Sequence, residues 1–491
     1  HRGNWQNDLT RARIKSRKTK NTSQGAPKEK PHRQVAGSKK NKFIKISLAG
    51  GALGLNMLGS LGLPGNLLAD GHSGNKKMLF IFQRGGNDGI NAVIPRGDSQ
   101  YNTTNRPTLF LRENQALDLG NGFAQLHPGL EPMMEIFNNQ KLNGQPGPGN
   151  LAVIHRVGYA DQSRSHFNSQ HYWENATPGD KKLDEGMFYR QITQTLDLTD
   201  EANAFVAASL SGSQMVSLRG PKPLPNFRKA SDFAFRGNTA QNRKFLGTLP
   251  EADPRWPGGS GVLGLYGGRP NLPRKRYRET VHRTGQLLGT TIQTLQDATR
   301  RTYTPANGAN YPNGKYGQRL REAAMLFKRT NAKILGLNIG GWDTHTSQGQ
   351  LYGKHRQLLG NVALAFQAFY RDMQDQWGDM VIVTMTEFGR TSKENGSRGT
   401  DHAEATAMFV AGGSVKGGVY NCDSKTWKNG DMFSTKNERY LLRKTDFRSV
   451  FEEIFTDHFG DSKKQLAQVI PTYAAARKEN PNDFKKLGLF A

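Results

Sequence analysis

The stretch KMLFIFQRGGNDGIN, residues 77–91, runs from an unbroken apolar segment straight into two glycines, an Asn-Asp pair and a third glycine. A continuous apolar run of this length reads as a strand buried on both faces, and the glycines let the chain bend sharply and approach a ligand closely. The turn holds up the Asp88 carboxylate. Asp and Asn also close turns with no further role, so Asp88 takes its meaning from what the rest of the chain brings to it. Four more apolar runs end in glycine or polar residues: NLAVIHRVG (150–158), AKILGLNIGG (332–341), DMVIVTMTEFG (379–389) and TAMFVAGG (406–413). Helical patterns at 317–330, 352–376 and 446–459 accompany them, which predicts an α/β domain with a parallel sheet covered by helices on both faces.

Residues 177–316 differ. Strand signals are weak, Gly and Pro are frequent, and GGRPNLPRKRYRETVHRTGQ is strongly basic, so this stretch reads as an inserted subdomain or lid. The chain then divides into a basic arm (1–42), an apolar, glycine-rich segment with its linker (43–76), two parts of the α/β domain (77–176 and 317–475) flanking the insert, and a C-terminal tail (476–491).

The 491 residues carry 68 Lys and Arg against 41 Asp and Glu, a net charge of +27. Such a field favours an acidic protein partner or another polyanion. Nearly half of the excess sits in the first 45 residues, the pattern of a basic arm rather than a basic fold. No nucleic-acid-binding module or phosphate-cradling fingerprint accompanies the charge, so specific nucleic-acid binding is not expected. The single cysteine, Cys422, excludes an intrachain disulfide and any multi-cysteine metal site. FIKISLAGGALGLNMLGSLGLPGNLLA (43–69) follows SKKNK and has the layout of an export signal. Its glycines and proline make it a poor membrane-spanning helix, leaving a membrane-surface contact or an anchor within an assembly as its role.

In open parallel sheets ligands bind beyond the carboxyl ends of the strands. The polar residues collected there are Asn87 and Asp88 after the first run, YADQSRSHFNSQHYWE after the second, Asp343 and His345 after the third and Glu387 after the fourth, with Asp401 and His402 before the fifth. Carboxylates and imidazoles converging from several loops suit a divalent cation. Ser163 or Ser165 would cap the following helix, placing a hydroxyl beside the helix's unpaired N–H groups. Capping alone explains a serine there; a nucleophile is the sharper reading, with Arg164 as a charge clamp and His166 as a ligand or proton carrier.

FQRGGNDGINAVIP, LHPGLEPM, LAVIHRVG, RSHFNSQHYWE, GGWDTHTSQ, TEFGRT, GTDHAEATAMFVAGGSVKGG and DFRSVFEEIF together resemble, from about 77 to 475, the successive motifs of a bacterial family named domain of unknown function 1501. Members are generally exported, often through twin-arginine signals, and are similar in fold to the alkaline phosphatase and sulfatase superfamily. The resemblance implies a mainly parallel central sheet with a metal site at its strand ends, Asp88 as first-strand ligand, Ser163 or Ser165 in the nucleophile region, Asp343 and His345 as a ligand pair, and His402 as a late ligand. It also exposes departures. TEFGRT offers Glu387 followed by Phe388 where the superfamily usually has Asp-His, Glu404 stands where a second histidine is common, and the signal carries Lys-Lys for twin arginines. These departures favour one oxygen-rich site for Zn, Mn, Mg or Ca, or an empty one, over a two-zinc centre.

Two functions follow. One is an exported, periplasmic or envelope-associated hydrolase of phosphate or sulfate esters. The other is a non-catalytic component of a homo- or hetero-oligomeric assembly that uses its arm. Removing residues 1–76 is expected to leave a folded α/β domain while weakening assembly or polyanion binding in a salt-sensitive way; sedimentation at low and high salt checks this, and unchanged assembly would refute a role for the arm.

Overall fold

Residue by residue, strand β1 (Lys77–Arg84) alternates between two cores: Leu79 and Ile81 enter one, Met78, Phe80 and Phe82 the other. This is why the run shows no polar alternation. The computed structural model describes residues 74–139, 149–234, 276–433 and 438–491, with residues 260, 261 and 264 between. These all fall in one unit, Leu48–Ala491. The basic arm and the apolar 43–69 stretch lie outside the described residues, as does most of 235–275.

The remaining strands are β2 (Val93–Pro95), β3 (Leu117–Asp118), β4 (Ala124–Leu126), β5 (Leu151–Gly158), β6 (Ala207–Ser209), β7 (Ile334–Gly340), β8 (Met380–Met385), β9 (Thr406–Gly412), β10 (Gly418–Tyr420) and β11 (Thr445–Asp446). The main sheet has the order β10-β5-β9-β8-β1-β7-β6, with β11 on β5, and β2-β4-β3 form a small second sheet. The five apolar runs are β1, β5, β7, β8 and β9. Helices Lys315–Arg329 and Lys354–Asp372 cover one face through Leu320, Phe327, Phe366 and Phe369. The other face is covered by His166–Asn175, Met187–Thr195 and Phe447–Glu453 through Trp173, Phe188, Phe447 and Phe451. The expected mainly parallel α/β architecture is the one observed.

Two expectations change. Strand β9 is antiparallel to both neighbours, β5 and β8, whereas the other strands of the main sheet pair in parallel. The loop before β9 therefore emerges at the same edge as the loops after β1, β5, β7 and β8. The 177–316 stretch, expected to stand beside the main sheet, contributes β6 to it, paired in parallel with β7.

The glycines after β1 answer to crowding by neighbouring chain. Gly85 and Gly86 have φ of 124° and 83°. A Cβ on Gly85 would lie 2.3 Å from the Asp343 backbone nitrogen, and one on Gly86 would lie 2.7 Å from the Phe388 ring. Gly85→Ala is expected to destabilise the protein by about 2–5 kcal/mol, combining backbone strain with a steric clash; a melting temperature within a degree of wild type would contradict this packing.

Candidate metal centre

Asp343 follows β7 in a loop pressed against the β1 turn, and its carboxylate is the focus of three histidines. Oδ1 lies 3.1 Å from His402 Nε2 and 3.0 Å from His345 Nε2, and Oδ2 lies 3.5 Å from His166 Nε2. The two imidazoles of His345 and His402 also face each other, Nε2 to Nε2, at 3.0 Å. One ligand atom each from His166, Asp343 and His402 lies within 4.8 Å of the others. His166 arrives as the first residue of its helix, and His402 from the loop that the reversed β9 carries to this edge.

The opposite nitrogen of each ring faces an acceptor of its own. His166 Nδ1 is 2.8 Å from Glu387 Oε1, His345 Nδ1 is 3.0 Å from Asp401 Oδ1, and His402 Nδ1 is 2.9 Å from the Arg164 carbonyl. Carboxylates and carbonyls accept, so each ring can hold a proton on Nδ1 against its outer acceptor; an Nε2 that keeps its proton donates to Asp343, and one that gives it up turns a lone pair toward the group. Two facing Nε2 atoms beside a carboxylate need a proton or a cation between them. Outer acceptors placed in this way are the usual support of metal-binding histidines. The 3.0–3.5 Å spacings of the histidines from Asp343 are near the about 3.3 Å edges of a tetrahedron with 2.0–2.1 Å bonds, and His345 lies outside the group whose ligand atoms are all within 4.8 Å of one another. The donor set therefore fits a divalent cation, and it is richer in nitrogen than the oxygen-rich site expected from the sequence.

Charges around the group are balanced by burial and pairing. Burial would raise the Asp343 carboxyl, but hydrogen bonds from His402 and Arg390 and the Arg390 charge bring it down to about 2. Arg390 Nη2 is 2.5 Å from Asp343 Oδ1. The hydrogen bond to Glu387 raises His166, whereas burial lowers His402. Glu387 is fully buried and accepts from His166, Gln170 and the Gly85 backbone; these bonds outweigh its burial and keep its carboxyl low. It supports a histidine instead of facing the group. Asp401 is held below the usual range by Asn395 and His345 despite desolvation. Phe388, which cannot bind a metal, packs its ring 4.9 Å from His166 and 4.5 Å from His402.

Asp88 and Asn87 are placed elsewhere. Asp88 is fully buried, caps the short helix Gly89–Ala92 through the Asn91 nitrogen, pairs with Arg106 at 2.8 Å and accepts from Gln348 at 2.6 Å. With both oxygens engaged, Asp88 closes a turn and neutralises a buried arginine. Asn87 bonds Gln83 and His355 inside the core. Ser165 is the N-cap residue of its helix but makes no side-chain cap bond, and the Ser163 hydroxyl accepts from the Ser165 nitrogen at 3.3 Å. Neither hydroxyl bonds a member of the histidine group among the described residues. Arg164 is half-exposed, 3.3 Å from Glu404 and stacked over Tyr440, and burial raises the Glu404 carboxyl. Arg106, Arg390 and Gln348 escaped the sequence reading. Arg390 stands inside TEFGRT, but nothing local marks it as the partner of Asp343.

Residues 278–460 match the model of a family described as "Protein of unknown function (DUF1501)". The match is narrower than the span over which the motifs resemble the family, and the matched segment supplies Asp343, His345, Glu387, Asp401 and His402 while His166 lies outside it. No curated protein matches the sequence. Solved structures similar to this chain include the lipoteichoic acid synthase LtaP of Listeria monocytogenes, at 8% identity and TM-score 0.30 over 80% of this chain and 73% of that one. Alkaline phosphatase from the Antarctic bacterium TAB5 overlaps at 7% identity and TM-score 0.27, over 81% of this chain and 99% of that one. A mutant of that phosphatase with Mg bound gives 8% and 0.27 over 82% and 99%. Overlaps this loose carry no argument about chemistry, which rests on the side chains above. No helix among the described residues is long and apolar enough to cross a membrane.

The Asp88 pair predicts an acid response. Burial alone would raise this carboxyl; the charge and hydrogen bonds of Arg106 outweigh it and lower it to about 2. A depressed carboxylate contributes stability above its unfolded value of about 3.9, on the order of 2 kcal/mol, lost as pH falls toward 2. Asp88→Asn is expected to be less stable at pH 6 and to lose less between pH 4 and pH 2 than wild type; denaturant melts at both ends measure it, and parallel losses would contradict the assignment.

Proposed function

We propose that the protein is an exported, metal-dependent hydrolase of phosphate or sulfate esters, with one divalent cation held by His166, Asp343 and His402 and with His345 beside them. The observation that supports this reading is the convergence of three imidazole Nε2 atoms on one carboxylate, each ring backed by an acceptor. A nitrogen-rich set of this kind suits zinc better than Mg or Ca. A cation bound there supplies charge stabilisation for an ester oxygen during displacement. Glu387, Asp401 and the Arg164 carbonyl hold the Nδ1 protons and so keep the rings turned inward. The half-exposed Arg164 guanidinium offers charge to an anionic ester, and Ser165, immediately before His166, offers a hydroxyl at the rim. We assign the basic arm to an acidic protein or other polyanion within an oligomeric assembly, and the 43–69 stretch to export or to contact with a membrane surface.

One observation favours the second reading, a structural protein that keeps the fold without turnover: Arg390 already compensates Asp343 at 2.5 Å. Metal content and activity separate the two. The purified protein is expected to retain about one equivalent of zinc by elemental analysis and to hydrolyse an aryl phosphate or sulfate. Asp343→Asn is expected to lower metal affinity at least about tenfold and activity with it. A Ser163→Ala, Ser165→Ala double variant should lose turnover with its melting temperature nearly unchanged. Metal-free protein without esterase activity under any common divalent cation would establish the structural reading.

A further inference from the structure

We infer that Asp88 acts on the metal centre from a distance, as a positioning residue working through Gln348; this rests on the proposed cation site. Gln348 is fully buried, and its amide has a donor end and an acceptor end. Nε2 donates to Asp88 Oδ2 at 2.6 Å. Oε1 then faces the other way and accepts from two hydroxyls, Thr344 Oγ1 at 2.8 Å and Thr400 Oγ1 at 2.7 Å. Thr344 stands between Asp343 and His345, and Thr400 immediately precedes Asp401 and His402. One amide oxygen thus joins the two loops that carry three of the four inward-facing side chains.

The carboxylate matters because it sets the polarity of the bridge. With Asp88 ionised, a flipped amide would bring Oε1 against a carboxylate, so only one orientation is allowed. Arg106 keeps the carboxylate ionised at neutral pH by binding both oxygens, at 2.8 and 3.2 Å, and in turn bonds the Thr391 and Ser392 carbonyls of the β8–β9 connection. The loops lie close enough for a Gln348 bridge because their backbones are already stitched, Thr400 N to Thr344 O at 3.1 Å and Gln348 N to Arg398 O at 2.9 Å. Gly399 packs so tightly that a Cβ would lie 2.4 Å from the His345 carbonyl carbon. What the bridge adds is the separation of His345 from His402. In this arrangement an aspartate placed after the first strand serves the centre without touching it.

Cobalt(II) titration of the full-length protein, followed by its visible absorption, tests the inference with a readout independent of turnover. Gln348→Leu removes the bridge, a Thr344→Val, Thr400→Val double variant removes both of its outer contacts while keeping volume, and Asp88→Asn removes the polarity lock. Each is expected to weaken cobalt binding about tenfold or more and to alter the absorption band. Tyr101→Phe is the control for general loss of buried hydrogen bonding, since the Tyr101 hydroxyl bonds Asn91 and Leu111 in the same network without reaching Gln348; it should lower stability and leave cobalt binding unchanged. If Gln348→Leu does not fold, the threonine double variant decides. Wild-type affinity and spectrum in the bridge variants would overturn the positioning role and leave the metal site standing. A wild-type protein that binds neither cobalt nor zinc would overturn both, a separate result.

Discussion

The edge of the sheet where the histidines meet is organised by one buried cation, the Arg390 guanidinium. It donates to the carbonyls of Gly85, Gly86, Trp342 and Thr400 and to the Asp343 carboxylate. These five acceptors belong to three separate segments of chain. An uncompensated charge in this position would be strongly destabilising, so the segments must close around Arg390 together. Once they do, the β1 turn, the Trp342–Asp343 corner and the loop before β9 have no independent freedom. Gly85 and Gly86 follow from this closure, since their carbonyls point at the guanidinium while their α-carbons touch neighbouring chain.

The sheet and its covering helices were legible in the sequence because burial on both faces leaves long apolar runs, and helical spacing marks the segments between them. The residues at the strand ends were legible for a related reason: a parallel sheet collects its loops at one edge. The direction of β9 was not, because an apolar run buried on both faces has the same composition whichever way it points. Asp343, His345 and His402 were expected at one edge from their strand-end positions, and the fold brings their side chains together. His166 was recognised as functional, but its alternatives as ligand or proton carrier were left open. Asp88 illustrates what a sequence withholds. Its placement after the first strand matches a ligand, yet its partner Arg106 sits in an unremarkable loop and no local pattern announces the ion pair. The same holds for Gln348, whose two ends find partners 52 and 260 residues away.

The centre is asymmetric in a way that bears on its chemistry. Outer carboxylates, Glu387 and Asp401, back His166 and His345, and the Phe388 ring packs against His166 and His402. An apolar ring strengthens electrostatic interactions on the rings it covers, while Asp343 and His345 stay partly open to solvent. The nearby cations, Arg164 and Arg390, differ in availability, one half-exposed and the other entirely engaged with the protein.

The reversed strand has a consequence for the order in which the protein assembles. Strands β8 and β9 are neighbours joined by the single connection 386–405, and Glu387, Arg390, Asp401, His402 and Glu404 all ride on it. This half of the centre can form by local chain closure, which is fast relative to long-range pairing. Asp343 joins from 59 residues away and His166 from more than 200, and the latter meets its acceptor Glu387 only across a separation of 221 residues. The inward-facing set is therefore complete only after strands β1, β5 and β7 have all taken their places. A cation that recognises the complete set binds the finished fold and not its precursors, and so acts as a late lock on the native state.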